Sequence, residues 1–361
     1  MSDAGCPVGP NDMEKVPVMI GIDGGATNSF GVAVDSEGRV VASSRSGSLY
    51  FFGTSLAESR RNLTDLIRTI ELQLPLGNYP ERVVMGNAAL FMEASEREKE
   101  ILCRGIVPLD RTRVVGDSII TFHGASLGKP GILVVSGTGS IVLIQNEQGQ
   151  YFQTGGWGHL LGDEGGAYWI AVQSIKAAIA AVDGRGTQTG LVGEICKWFD
   201  VKELSEILPL IYTPKFSKDK LAALSEHLAL TLREEDPGFN EVCRRGGEEL
   251  ARQTLAGASL LGLHMDPVPI YLHGGVISCN RLVRDTLIEG LAEHLPVKVM
   301  EQALHPILGA ALMAMIGAGI TPTPKIVNTL SESYAAHLKM PRADREPRAL
   351  NQSNECPAKI L

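Results

Sequence analysis

Short apolar runs divided by glycine-rich turns open this chain, and stretches of helical periodicity follow them. Residues 16–22 and 30–34 are apolar runs of strand length, joined by Asp23-Gly24-Gly25-Ala26-Thr27-Asn28-Ser29. The turn Asp35-Ser36-Glu37-Gly38 leads to a third strand over 39–43. Two such runs bounded by turn residues predict a hairpin. The pattern then returns: strand 132–135, turn Ser136-Gly137-Thr138-Gly139-Ser140, strand 141–144 and turn Asn146-Glu147-Gln148-Gly149. From Gly25 to Gly38 is thirteen positions, and from Gly137 to Gly149 is twelve. This is an internal repeat, too short and too widely spaced for a solenoid.

Between the hairpins, Leu56, Leu63, Leu66, Ile67 and Ile70 predict an amphipathic helix over 54–72. A strand over 82–85 ends at Gly86-Asn87, a helix covers 95–104, and a strand over 113–115 ends at Gly116-Asp117-Ser118. A helix begins at 119–125. Strand–helix alternation predicts an α/β unit with a partly parallel sheet, whose ligands lie beyond the carboxyl ends of strands. Asp117 stands at such an end. After the second hairpin, helices are expected over 166–182, 194–199, 202–208, 218–234 and 239–261. A buried strand over 267–273 runs into Gly274-Gly275-Val276. Helix 280–294, strand 297–300 and the small-residue helix 306–320 follow, the last stopped by Thr321-Pro322-Thr323-Pro324.

Composition narrows the classes. Of 361 residues, 44% are hydrophobic and 20% charged, which suits a globular protein with a sizeable core. The net charge of -8 argues against broad nucleic-acid binding. An anionic nucleotide stays possible, because glycine-turn amides and a metal ion bind phosphate without basic side chains. Six dispersed cysteines (6, 103, 196, 243, 279 and 356) form no C-x-x-C pair, which speaks for a reducing compartment and against structural zinc. No signal-peptide pattern precedes residue 16, and the stretch 306–320 is too short to span a bilayer. The expectation is a cytoplasmic protein without membrane or nucleic-acid partners.

The chemistry-bearing residues cluster at the turns. Thr138 and Ser140 add hydroxyls to a tip whose amides form an anion site. Downstream, Gly155-Gly156-Trp157-Gly158-His159 and Gly162-Asp163-Glu164-Gly165-Gly166 gather amides, an indole, an imidazole and two carboxylates. Asp23 can hold Mg²⁺ directly or through water, or can simply cap its turn. Asp117 suits a general base, or a helix N-cap. Trp157 suits a ligand wall or the core. Asp163 and Glu164 suit hydrogen bonding to hydroxyls, or a solvated loop or helix cap. His159 reads as a structural histidine.

The stretches IDGGATNS, VVGDS, VVSGTGS, GGWGHLLGDEGGAYWIA and LHGGV, spread over residues 18–320, resemble one family. It is the N-acetylglucosamine kinases, grouped with the BadF/BadG/BcrA/BcrD ATPases. The resemblance implies an α/β, actin-like ATPase (ribonuclease H-like) fold with two domains around a nucleotide cleft. The polar residues 1–15 read as a mobile leader, and the resemblance implies an N-terminal domain of 16–117 plus 306–320 and a C-terminal domain of 118–305. Residues 321–361, polar, proline-punctuated and weakly periodic, read as a mostly disordered tail with one short helix over 331–339. The cofactors implied are ATP and Mg²⁺. ATP would be held by Gly24, Gly25, Ala26, Thr27, Asn28, Gly137, Thr138, Gly139, Gly274, Gly275 and Val276, with the metal at Asp23. Asp117 would be the general base, and Ser48, Asp117, Ser140, Gly156, Trp157, Gly158 and Asp163 would bind an amino sugar, N-acetylglucosamine first among them. A homodimer is the assembly it allows. A plain βα turn is the competing account of residues 274–276.

Three departures fall on the sugar side. Ser48 stands where eukaryotic members carry an asparagine, Gly86-Asn87-Ala88-Ala89 replaces a serine-rich strand end, and Ile141 replaces an asparagine. Two other functions compete. An ATPase activating a radical dehydratase would need an iron–sulfur cluster on cysteine thiolates, and of the six only Cys279 lies near a glycine loop. A non-catalytic nucleotide or sugar sensor would show no sugar-dependent ADP release.

Overall fold

The computed structural model describes residues 17–75, 78–213, 216–232 and 235–339. The leader expected over 1–15 and the tail beyond 339 lie outside them. The described residues divide into two compact units, one running up to Gly128 and resuming at Gln302, the other spanning Lys129–Glu301.

The first unit holds β1 (Pro17–Gly24), β2 (Asn28–Val34), β3 (Val40–Gly47), α1 (Leu56–Glu71), β4 (Tyr79–Asn87), α2 (Glu96–Cys103), β5 (Thr112–Gly116) and α3 (Asp117–Ser126). Its sheet runs β3-β2-β1-β4-β5, with β1 antiparallel to β2 and parallel to β4. Alternation along β1 sends Val18, Ile20 and Ile22 into a core with α1 and α2. Gly21 faces the other way. A Cβ there would strike the backbone of Ala311 in the late helix Pro306–Gly317, so glycine sets how closely that helix seats. The same helix meets α3 through Gly309, whose missing Cβ leaves room for the Ile120 carbonyl and Gly124.

In the second unit, β6 (Gly131–Ser136), β7 (Ser140–Gln145) and β8 (Tyr151–Gly155) are followed by α4 (Ala167–Val182), α5 (Leu191–Phe199), α6 (Leu208–Ile211), α7 (Lys218–Thr231) and α8 (Pro237–Leu261). Then come β9 (Val268–His273), α9 (Gly275–Cys279), α10 (Arg281–Ala292) and β10 (Val297–Met300); α11 (Pro306–Gly317) and α12 (Pro324–Lys339) belong to the first unit. The sheet order β10-β9-β6-β7-β8 repeats the first sheet, with β6 antiparallel to β7 and parallel to β9. The duplicated hairpin therefore extends to a duplicated sheet. Ile132, Val134, Val142 and Ile144 join Leu250, Ala251 and Leu287 in its core.

Three expectations change. The division falls at 128/129 rather than 117/118, because α3 packs on α11 and stays with the first unit. The part of the supposed tail that is described forms helix α12. Pro324 starts it rather than stopping anything, since proline's fixed φ and missing N–H suit a first helical position, and Thr323 Oγ1 accepts the Ile326 N–H at 3.3 Å. α12 is held by Leu330, which is fully buried, and by the Val40 N–H donating to Ser333 Oγ at 2.8 Å. Strand β8 was missed. Its residues are all half-buried, so Tyr151–Gly155 lacks the clean alternation that marks a strand.

Candidate active site

The end of the first sheet brings together the β1–β2 turn, the end of β4 and the start of α3. Asp23 and Gly24 belong to β1 and Asn28 to β2, leaving Gly25, Ala26 and Thr27 as the tip, with Ala26 and Thr27 exposed. Neighbouring chain grips the turn from behind. The Gly24 carbonyl accepts the Ala88 N–H at 3.0 Å, and the Gly25 carbonyl accepts the Leu49 N–H at 3.3 Å. Asn87, buried and missed as a site residue, joins these grips. Its Nδ2 donates to the Leu49 carbonyl at 3.2 Å and its Oδ1 accepts the Ala89 N–H at 2.9 Å. Ser48, expected to touch substrate, is buried. Its hydroxyl donates to the Gly25 carbonyl at 3.4 Å and accepts the Tyr50 N–H at 3.0 Å, so it is spent on the turn.

Asp23 is half-buried, and desolvation of its carboxylate, reinforced by the negative charge of Asp117, raises its pKa to about 7. Asp117 is the first residue of α3, with Gly116 in the N-cap position, so the expected alternative of an Asp117 N-cap gives way. Its carbonyl accepts the Thr121 hydroxyl at 2.8 Å. Among the described residues no group of three or more His, Cys, Asp or Glu side chains could hold a metal. One or two carboxylates can still suffice for magnesium, which takes its remaining oxygens from phosphates and water.

The second unit assembles its own cluster. The β6–β7 turn closes with the Gly137 N–H donating to the Gly139 carbonyl at 2.9 Å, and Thr138 stands exposed at the tip. The first amides of α4 are satisfied by this turn, Ala167 N–H on the Gly137 carbonyl (2.8 Å) and Tyr168 N–H on the Thr138 carbonyl (3.1 Å). The hairpin thus caps α4, a role that Asp163 and Glu164 do not fill. Gly274, at φ +106°, abuts the Ser136 and Gly137 backbone, which brings Gly274, Gly275 and Val276 beside the turn. Ser136 Oγ donates to the Gly165 carbonyl and Ser140 Oγ to the Glu164 carbonyl, both at 2.7 Å. Ser140, like Ser48, is engaged within the chain.

The tryptophan loop follows. Trp157 is 65% exposed, with Leu160 at 80% and Leu161 at 81%, so the expected core alternative for the indole gives way. Gly156 and Gly158 take φ of +71° and +84°, and Asp163, a non-glycine at +60°, shares the left-handed region. Its Oδ1 accepts the Gly158 N–H at 3.2 Å, and its carboxylate lies against Gly139, where any Cβ would collide with it. Burial raises its pKa, opposed by the Gly158 amide, by His159 and Lys218 and by the Ser140 amide. Glu164 accepts from Gln253 Nε2 at 3.2 Å and so ties the loop to α8. His159 packs edge-on against Tyr168, with ring centroids 4.8 Å apart.

Two copies of one five-stranded sheet, each presenting a glycine hairpin, make this an α/β protein of the actin-like ATPase, ribonuclease H-like fold. The solved structure of a proposed N-acetylglucosamine kinase from Chromobacterium violaceum shares it, at TM-score 0.65 and 22% identity over 83% of this chain and 99% of that one. The model of the BadF/BadG/BcrA/BcrD ATPase family matches residues 20–314, and the chain belongs to that family. Two relatives are each 28% identical to it. The N-acetylmuramic acid/N-acetylglucosamine kinase of Clostridium acetobutylicum aligns over 82% of this chain and 97% of its own length. The N-acetyl-D-glucosamine kinase of Dictyostelium discoideum aligns over 82% and 98%.

Proposed function

We propose that this chain is an ATP-dependent carbohydrate kinase that transfers the γ-phosphoryl group of Mg-ATP to a hydroxyl of an amino sugar, with N-acetylglucosamine the first candidate. The observation that best supports the reading is that Asp23, near the end of β1, and Asp117, opening α3, lie at the same end of the first sheet beside the glycine turn, where burial and then the charge of Asp117 raise the Asp23 pKa. The kinase relatives give the class of chemistry. Asp117 would accept the proton of the attacking hydroxyl, which needs only hydrogen-bond reach. Asp23, two acids being costly side by side, would hold the metal. Magnesium, when bound, offsets negative charge on the phosphate oxygens. The turns 24–28 and 137–139 would hold phosphates through amides other than the Gly137 N–H, which closes its own turn, and through the Thr27 and Thr138 hydroxyls, and Gly274, Gly275 and Val276 would flank the adenosine. Trp157, with Gly156 and Gly158, would offer the sugar an apolar face, and Asp163 would accept hydrogen bonds from its hydroxyls. Ser48 and Ser140, each bonded within its own unit, would hold their local chain in shape rather than touch the sugar.

ADP release coupled to a reporter, measured across amino sugars with and without magnesium, tests this. Sugar- and magnesium-dependent release is expected. Release indifferent to every sugar would overturn the reading.

A further inference from the structure

Asp23, Phe30 and Arg45 are successive cross-strand partners on β1, β2 and β3. Directly opposed residues of antiparallel strands point to the same face, so the three side chains share one side of the sheet. The two strand spacings put the ends of this row about 10 Å apart at the backbone. Arg45 lies over the Phe30 ring, its Cζ 5.6 Å from the centroid. Its Nη2 donates to Asn28 Oδ1 at 2.8 Å. The aromatic face and the amide together draw a cation towards the turn whose tip is Gly25-Ala26-Thr27. That placement stands out in a chain of net charge -8.

A triphosphate carries more negative charge than one divalent cation offsets, and backbone amides contribute only partial charges. Phosphoryl transfer relies on fixed positive groups where charge develops. A guanidinium has five donors in a planar fork, enough to serve Asn28 and phosphate oxygens together. We propose that Arg45 is a further catalytic residue, contacting the γ-phosphoryl oxygens while Asn28 and Phe30 hold its fork in place. The transfer breaks the bond from the γ-phosphorus to the β,γ-bridging oxygen, forms the bond to the sugar oxygen and sends the hydroxyl proton to Asp117; Arg45 changes no bond. The inference rests on the kinase reading.

The test compares Arg45→Ala, Arg45→Lys and wild type with Mg-ATP and N-acetylglucosamine. Arg45→Ala is expected to lose turnover about 10²- to 10³-fold, the range for removing one charge-stabilising donor. Its affinity for ADP, which lacks the γ-phosphoryl, and its melting temperature should stay near wild type. Arg45→Lys should keep part of the turnover, and guanidinium ion at low millimolar concentration should restore some to Arg45→Ala alone. Turnover within twofold of wild type would overturn the proposal, as would a loss matched by a fall in ADP affinity or melting temperature with no rescue. If wild type releases ADP without regard to sugar, the kinase reading falls. Arg45 is then judged on that hydrolysis, where the same loss upholds it and no loss overturns it.

Discussion

Burial of the Asp23 carboxylate, reinforced by the negative charge of Asp117, lifts the Asp23 pKa to about 7. Folding therefore takes up a proton at Asp23 between about pH 4, where an unfolded aspartate titrates, and pH 7. A raised folded-state pKa makes this group's contribution to stability fall as pH rises through that window. Asp23→Asn removes the buried charge. Its melting temperature at pH 8 should exceed wild type by roughly 2–4 °C, about what 1 kcal/mol gives for a cooperative unit of roughly 150–250 residues. The acidic-side pH dependence of melting should flatten, and magnesium-dependent turnover should be lost. An unchanged or lower melting temperature at pH 8 would refute the electrostatic account.

Asp117→Asn keeps the shape of the helix start and removes the base. Turnover should fall about 10²- to 10⁴-fold, while nucleotide affinity by calorimetry stays within a few-fold. Unchanged turnover would remove Asp117 from the chemistry.

Trp157→Ala deletes an indole that is 65% exposed, so the melting temperature should barely move. Sugar KM should rise more than ATP KM. The reverse ranking would take the tryptophan off the sugar wall.

Two glycines test the packing. Gly309→Ala pushes a methyl into the Ile120 carbonyl and Gly124, and should cost about 1–3 kcal/mol as an overpacked contact. Gly193→Ala, in α5 with nothing within 4 Å of the added methyl, should instead stabilise by up to about 1 kcal/mol. Chemical denaturation of both variants reads the contrast, and equal effects would contradict the geometry.

Burial pushes the thiol pKa of Cys103 to about 11 and that of Cys243 to about 12, whereas Cys279 is exposed. At pH 8 a thiol reagent followed by peptide mass spectrometry should, among the cysteines of the described residues, label Cys279 first. Cys103 and Cys243 should react only on unfolding, since the thiolate is the nucleophile.

Much of this is legible in the sequence alone. The two glycine turns, the strands beside them and the end-of-strand position of Asp117 all follow from local pattern, because each is a short stretch whose chemistry is its own. The register that aligns Asp23, Phe30 and Arg45, and the hydrogen bonds of Asn87 to Leu49, 38 positions away, and of Ser48 to the turn, depend on pairing between distant segments. No periodicity reports such contacts. The same limit explains α3. Its own sequence gives a helix, but its packing on α11, β1, β4 and β5 decides which unit it joins. Pro324 misled for a different reason, since proline both ends and begins helices and the Thr323 cap alone tells which.

The seat of α11 against Gly21 and Gly309 has a consequence for how the molecule is made. The second unit is one uninterrupted stretch, whereas the first borrows its buried helix from beyond residue 301. A ribosome finishes the second unit's chain before it delivers that helix, so the amino-terminal half, though synthesised first, is the last to close its core.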